Sequence, residues 1–191
     1  MAVRTGLPIA EIEPRAAASA VQFGVLARLV APALGAAVLG WRLDMNPAGL
    51  WWRDETGGPV PLSVPAPSVG SVGPGEWDRR LLDDLIGPVT VATAALIPVS
   101  GRVLWGNVAS AVNAAALQLA TQRPDLAAAA WRAVARLFAS PLLATERQPP
   151  GPAFRRSSCC LFYRLVPGGG PAALCANCVL RVSRARSGST T

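Results

Sequence analysis

The sequence predicts a mostly α-helical protein with a small β-hairpin, an α+β chain whose C-terminal end is a cysteine-rich module. Three observations carry that prediction. Apolar residues recur at spacings of three and four through several long stretches, the signature of helices with one buried face. One short segment near 50–64 instead alternates around Gly and Pro, as a hairpin does. All four cysteines fall between positions 159 and 178, in a chain with no histidine.

The elements follow in order. Residues 1–14 are mixed and punctuated by proline, a loosely held arm. Arg15 to Leu39 is apolar for long enough to raise the question of a membrane span. Gln22, Arg28 and Pro32 interrupt it where a charge is expensive and a proline breaks a helix, so it reads as two buried helices meeting near Pro32, with no transmembrane segment. Leu50, Trp51 and Trp52 then lead through Asp54-Glu55-Thr56-Gly57-Gly58 to Val60, Leu62 and Val64, a hairpin running into a Pro/Gly loop. The tryptophans are expected to cap the core, with ligand cover as the alternative use.

From Glu76 the helical period returns. Trp77, Leu81, Leu82, Leu85, Ile86 and Val89 share a face, and Gly87-Pro88 must kink or restart the helix. Asp83 and Asp84 fall on the exposed face. Ser100 is placed to cap a helix carrying Leu104, Trp105, Val108, Val112, Ala115, Ala116 and Leu119, which ends before Arg123-Pro124. Pro124 suits the first turn of a further helix burying Ala127, Trp131, Val134 and Phe138. Thr145 to Pro152 reads as a proline-rich hinge. The expected organisation is a helical body over 1–145 with its hairpin near 50–64, a cysteine module over 154–182, and a flexible tail over 183–191.

The cysteines carry the chemistry. They stand as Cys159-Cys160, a spacer of fourteen residues, then Cys175-Ala176-Asn177-Cys178. Four thiolates so close in sequence point to a sulfur-only metal site. Structural zinc favours two Cys-x2-4-Cys pairs, and only one pair here has that spacing. Adjacent cysteines in extended backbone point in opposite directions, so a cluster with two metal centres suits the pair better than one small ion. The reading is therefore a [2Fe-2S] cluster held by Cys159, Cys160, Cys175 and Cys178. Zinc and a disulfide arrangement are the alternatives, the latter needing an oxidising compartment for which no secretion signal is visible.

The stretch Arg156-Ser157-Ser158-Cys159-Cys160-Leu161-Phe162-Tyr163-Arg164, with Cys175-Ala176-Asn177-Cys178-Val179-Leu180, resembles the C-terminal motif of the FhuF-like siderophore ferric reductases. Leu104-Trp105-Gly106-Asn107 is similar to a Trp-x-Asn element of the same family. The family pattern is Cys-Cys-x10-Cys-x2-Cys, so the spacer here is four residues longer and holds Pro167-Gly168-Gly169-Gly170-Pro171. Lengthening a flexible loop costs little closure entropy. The resemblance implies a [2Fe-2S] cofactor and reduction of Fe(III) held in a siderophore, such as a hydroxamate. It also implies an external electron donor, a ferredoxin or a reductase, because no flavin or nicotinamide motif is visible.

Composition fits that expectation. Net charge is +7, all of the cations being arginine. Arg155, Arg156, Arg164, Arg181, Arg184 and Arg186 bracket the cysteines, and no carboxylate follows Glu146. Cations there favour the reduced cluster, Arg156 and Arg164 being the two read as functional, while Arg184 and Arg186 read as solvated tail. The arginines form no aromatic-interleaved stripe and no helix-turn-helix signature occurs, so no nucleic-acid partner is expected. Without histidine, lysine or a phosphate-binding loop, hydrolysis and phosphoryl transfer are poorly served. The lone Tyr163 reads as packing for the small module, or as a hydrogen-bond partner for a cluster sulfur. Trp51, Trp52 and Trp105 are a candidate pocket wall. The expected setting is cytoplasmic, with peripheral association at the inner face of the membrane as an alternative, and the alternatives in function are a non-redox siderophore accessory protein and an iron or redox sensor.

Overall fold

The computed structural model describes residues 6–53, 61–63, 69–71, 73–146, 148–169 and 171–181. A 3-10 turn at Ile9–Glu11 leads into α1, Pro14–Val38, with Pro14 in the first turn, where its missing N–H costs nothing. Helix α1 is continuous. The expected break near Pro32 does not occur, because Pro32 lies on the exposed face and the neighbouring Leu29, Val30, Ala33 and Leu34 stay buried on the other. Water can serve the carbonyl that Pro32 leaves unpaired, so the cost of the proline is outweighed by core burial. Arg28 turns its guanidinium back to the Gly24 carbonyl at 2.8 Å.

Four short strands follow in a nested arrangement. The outer pair joins β1, Trp41–Leu43, to β4, Val69–Ser71, antiparallel, with Arg42 opposite Gly70. The inner pair joins β2, Trp51–Trp52, to β3, Leu62–Ser63, with Trp52 opposite Leu62. The inner ladder is the expected hairpin; its turn, Asp54 to Val60, and Val64 lie outside the described residues. The outer ladder is not foreseen from sequence, since Val69-Gly70-Ser71 has neither alternation nor length to mark it. Trp51 and Trp52 do not cap the core. They are 73% and 66% exposed, while Leu50 and Leu62 beside them are the residues that pack against the core.

The next helix is a composite. Regular turns in α2, Pro74–Arg79, pass into a π-helical stretch at Arg80–Ile86 and resume as α3, Gly87–Leu96. Pro88 cannot donate to the ladder, and the widened turn before it absorbs that loss: the Gly87 N–H bonds to Leu82 O, five residues back. Asp83 and Asp84 are exposed as expected.

Helix α4, Gly101–Gln122, starts after Ser100 and stops at Arg123, the expected bounds. Ser100 contributes its backbone carbonyl, to Val103 N and Leu104 N, rather than a side-chain cap. A 3-10 turn at Pro124–Leu126 opens α5, Ala127–Phe138. Helices α1, α4 and α5 enclose the core around Leu26, Leu29, Val108, Val112, Val134 and Leu137. By length and composition α1 and α4 could each cross a membrane, and here they supply opposite walls of that core.

A cavity of about 300 Å³ opens between β1, α1 and the π-helical turn, lined by Ala33, Arg42, Met45, Trp77, Arg80 and Leu85. Ala33 lies fourteen residues, or about 21 Å of helix, from Ser19, the α1 residue that bonds Cys160 O.

Candidate metal centre

The segment after α5 is pinned to the helical body. Asn113 of α4 donates to Gly151 O at 3.1 Å and accepts from Gly151 N at 2.7 Å, which fixes the segment read as a hinge. Phe154 is 2% exposed and meets Phe138 edge to face at 5.4 Å, so the cysteine segment inserts an anchor into the main core. Phe162 makes a similar contact with Phe23 of α1, at 5.6 Å.

Gly106 of α4 marks the closest approach. A Cβ there would fall 2.5 Å from Ser158 Oγ, 2.8 Å from Arg156 Nη2 and 3.2 Å from Glu146 Oε1. Only glycine lets these three side chains settle onto the helix. Ser158 Oγ donates to Arg102 O at 2.8 Å, and Glu146 Oε2 accepts from Ser157 N at 2.7 Å. Asn107 is wholly buried one position on. Its Nδ2 donates to Ser19 O, Ser19 Oγ and Gln22 Oε1 at 2.9–3.0 Å, and its Oδ1 accepts from Arg156 Nη1 at 2.7 Å. Ser19 Oγ in turn donates to Cys160 O at 2.9 Å. The Trp105-Gly106-Asn107 element thus seats the cysteine segment, while Trp105 packs partly buried against the core and Trp51 and Trp52 stand on the exposed hairpin.

Directly after the vicinal pair the chain reverses at Leu161. This is the one described non-glycine residue at positive φ, +66°, in the left-handed region that costs a side chain about 1 kcal/mol or more. The Leu161 N–H donates to Cys159 Sγ at 3.4 Å, and the positive φ turns the chain that follows into a 3-10 turn at Phe162–Leu165. On the other side, Cys178 N bonds Cys175 O at 3.1 Å, and Arg181 closes the turn by donating to Leu174 O and Cys175 O. Arg156 N bonds Asn177 O at 3.0 Å and ties the two cysteine segments together.

All four cysteines are free thiols. Cys160 and Cys178 are 2% and 1% exposed, whereas Cys159 and Cys175 are half-buried. The sulfurs of Cys160 and Cys175 lie 3.4 Å apart, at hydrogen-bond distance and far beyond a disulfide bond length of about 2 Å. That hydrogen bond draws the Cys160 thiol below its ordinary range and pushes Cys175 up. Burial raises Cys159, partly offset by the Leu161 N–H. Cys159 and Cys175 each feel the charge of both Cys160 and Cys178, so the four act as one electrostatic group. Among the described residues no three Cys, Asp, Glu or His side chains close around a single point.

Of the bracketing arginines, Arg156 enters the interior at 3% exposure. Burial lowers its pKa, and the thiols of Cys160, Cys175 and Cys159, together with Glu146, oppose that shift. Arg164 is an exposed partner of Glu13 at 2.8 Å, which raises its pKa, and it lies over the Tyr163 ring while donating to Tyr163 Oη. Arg184 and Arg186 lie outside the described residues.

A dense set of thiols, half sunk into a helical body beside a buried cation, is the site of a sulfur-ligated metal protein. Residues 156–180 match the family model described as the FhuF 2Fe-2S C-terminal domain, so this end of the chain is a domain of that type, with a [2Fe-2S] cluster as its cofactor. The match covers the cysteine segment and leaves the helical body unassigned. Neither the curated proteins nor the solved structures contain a significant match to the chain. The donors fit the group. Four sulfurs distributed in pairs suit two iron centres better than one tetrahedral ion, and Arg156 Nε is a buried donor without a hydrogen-bond partner beside the thiols, as Glu146 Oε1 is a buried unpartnered acceptor in the same patch.

Proposed function

We propose that Cys159, Cys160, Cys175 and Cys178 ligate the [2Fe-2S] cluster and that the protein is a ferric-siderophore reductase. The observation that carries this reading is the asymmetric burial of the thiols. Cys160 and Cys178 are enclosed, while Cys159 and Cys175 reach the surface and give an acceptor a short path to the site. When bound, the cluster supplies a one-electron couple.

The protein's own residues do the rest. The Leu161 N–H steadies Cys159 and the Arg181-closed turn steadies Cys175, and Phe154, Phe162 and Gly106 fix the segment on a rigid body. Both features reduce the reorganisation that slows electron transfer. Arg181, exposed and bonded to Cys175 O, puts positive charge beside the half-buried Cys175, which suits an anionic electron-carrying protein such as an acidic ferredoxin. Each Fe(III) takes up one electron from that donor. A hydroxamate siderophore holds hard Fe(III) far more tightly than Fe(II), so reduction releases the iron.

The test is to reduce the cluster-loaded protein anaerobically and mix it with a ferric hydroxamate. Reoxidation should consume one Fe(III) per electron and yield Fe(II) captured by a ferrous chelator. Persistence of the reduced spectrum, with no Fe(II) formed, would exclude the reductase and leave a binding or sensing role.

A further inference from the structure

The guanidinium of Arg156 is built into the molecule with one nitrogen, Nε, left without a partner. Its Nη1 is spent on Asn107 Oδ1 at 2.7 Å and its Nη2 on Val103 O at 3.0 Å, while Nε is buried without a partner. An orphaned charged donor in a core costs more than the bond it lacks, so such a group persists where something else accepts from it. Its backbone lies between the two cysteine pairs, three residues before Cys159 and bonded to Asn177 O beside Cys178.

We propose that Arg156 contacts the cluster directly, donating its Nε–H to a cluster sulfur, and that Asn107 is the positioning residue that aims it. The inference rests on ligation by the four cysteines and is independent of siderophore reduction. Asn107 is suited to the task because its amide is clamped on α1 by Ser19 and Gln22, and Gln22 Nε2 is itself bonded to Thr90 Oγ1 at 3.3 Å. The oxygen that holds Arg156 therefore cannot swing away. A cation and an N–H at the sulfur favour the form with the extra electron, so both raise the potential.

The experiment is an EPR-monitored redox titration of Arg156→Met, Arg156→Lys and Asn107→Ala at equal iron content, with proton ENDOR of the reduced state before and after exchange into D2O. The wild-type protein should carry an exchangeable proton strongly coupled to the cluster. In Arg156→Met that coupling should vanish and reduction become about tenfold less favourable, ~59 mV lower. Arg156→Lys keeps the charge without the fork, so it should lose the coupling with a smaller fall; it also decides the matter if the methionine variant does not fold. Asn107→Ala should weaken the coupling and lower the potential with Arg156 still present. An unchanged potential and unchanged exchangeable coupling in Arg156→Met or Arg156→Lys would overturn the proposal alone. A wild-type protein that takes up no cluster would overturn the ligation reading, and this proposal with it.

Discussion

Gly106→Ala inverts the usual effect of its kind. Replacing a helix-interior glycine by alanine ordinarily stabilises by about 1 kcal/mol, because glycine loses more backbone freedom on folding. At Gly106 the new methyl would lie 2.5 Å from Ser158 Oγ and 2.8 Å from Arg156 Nη2, so Ser158 must retreat by about 0.9 Å to reach ordinary contact. That displacement breaks the 2.8 Å bond from Ser158 to Arg102 O, about 1 kcal/mol, and the 3.0 Å charged bond from Arg156 to Val103 O, about 2 kcal/mol. Set against the helical gain, the net loss is about 2 kcal/mol, or a melting midpoint lower by about 4–8 °C in a chain of this size. Gly35→Ala is the control. It is also inside a helix, nothing lies within 4 Å of its added methyl, and it should raise the midpoint by about 2–4 °C. The assay is thermal unfolding of anaerobically purified protein at matched iron content. If Gly106→Ala rises as Gly35→Ala does, the close seating of the cysteine segment on α4 is wrong.

The other predictions concern the same seat and the turn beside it. Leu161→Gly removes the left-handed penalty of about 1 kcal/mol and should retain full iron content, whereas Leu161→Val, β-branched at positive φ, should lose cluster; iron per chain after gel filtration separates the two. Asn113→Ala leaves both Gly151 N and Gly151 O without their partner and should cost about 2 kcal/mol, with faster hydrogen exchange at the Gly151 amide as the local readout. Glu13→Gln breaks a surface pair with Arg164 and should change stability by less than about 1 kcal/mol without affecting iron content; a larger loss would give Arg164 the structural weight that its exposure argues against. Cys175→Ser should strip or destabilise the cluster, and normal iron content in that variant would contradict the four-ligand assignment.

What was legible in the sequence is what periodicity and covalent geometry govern. The bounds of α4 follow from Ser100 and Arg123-Pro124, and the π-helical adjustment sits where Gly87-Pro88 forbids a regular turn. The adjacent cysteines signalled unusual local backbone, and a left-handed residue, Leu161, stands directly after them. Nothing about a leucine announces positive φ, so that residue could not have been named. Pro32 misled because its cost depends on which face it occupies, and Trp51 and Trp52 because burial depends on what packs above them. Arg156 and Arg164 look alike in sequence; tertiary contacts alone sink one beside Asn107 and leave the other on Glu13. The shared docking surface was hidden for the same reason, since Gly106, Asn113 and Phe154 are ordinary helix and loop residues until the segments meet.

Visible absorption and low-temperature EPR on anaerobically purified protein, with iron and zinc measured on the same sample, decide whether these four thiolates hold a [2Fe-2S] cluster. The protein should be brown, with about two irons per chain, EPR-silent as isolated and giving a signal on reduction with dithionite. A colourless protein with one zinc per chain, still colourless after anaerobic cluster reconstitution, would contradict the cluster assignment.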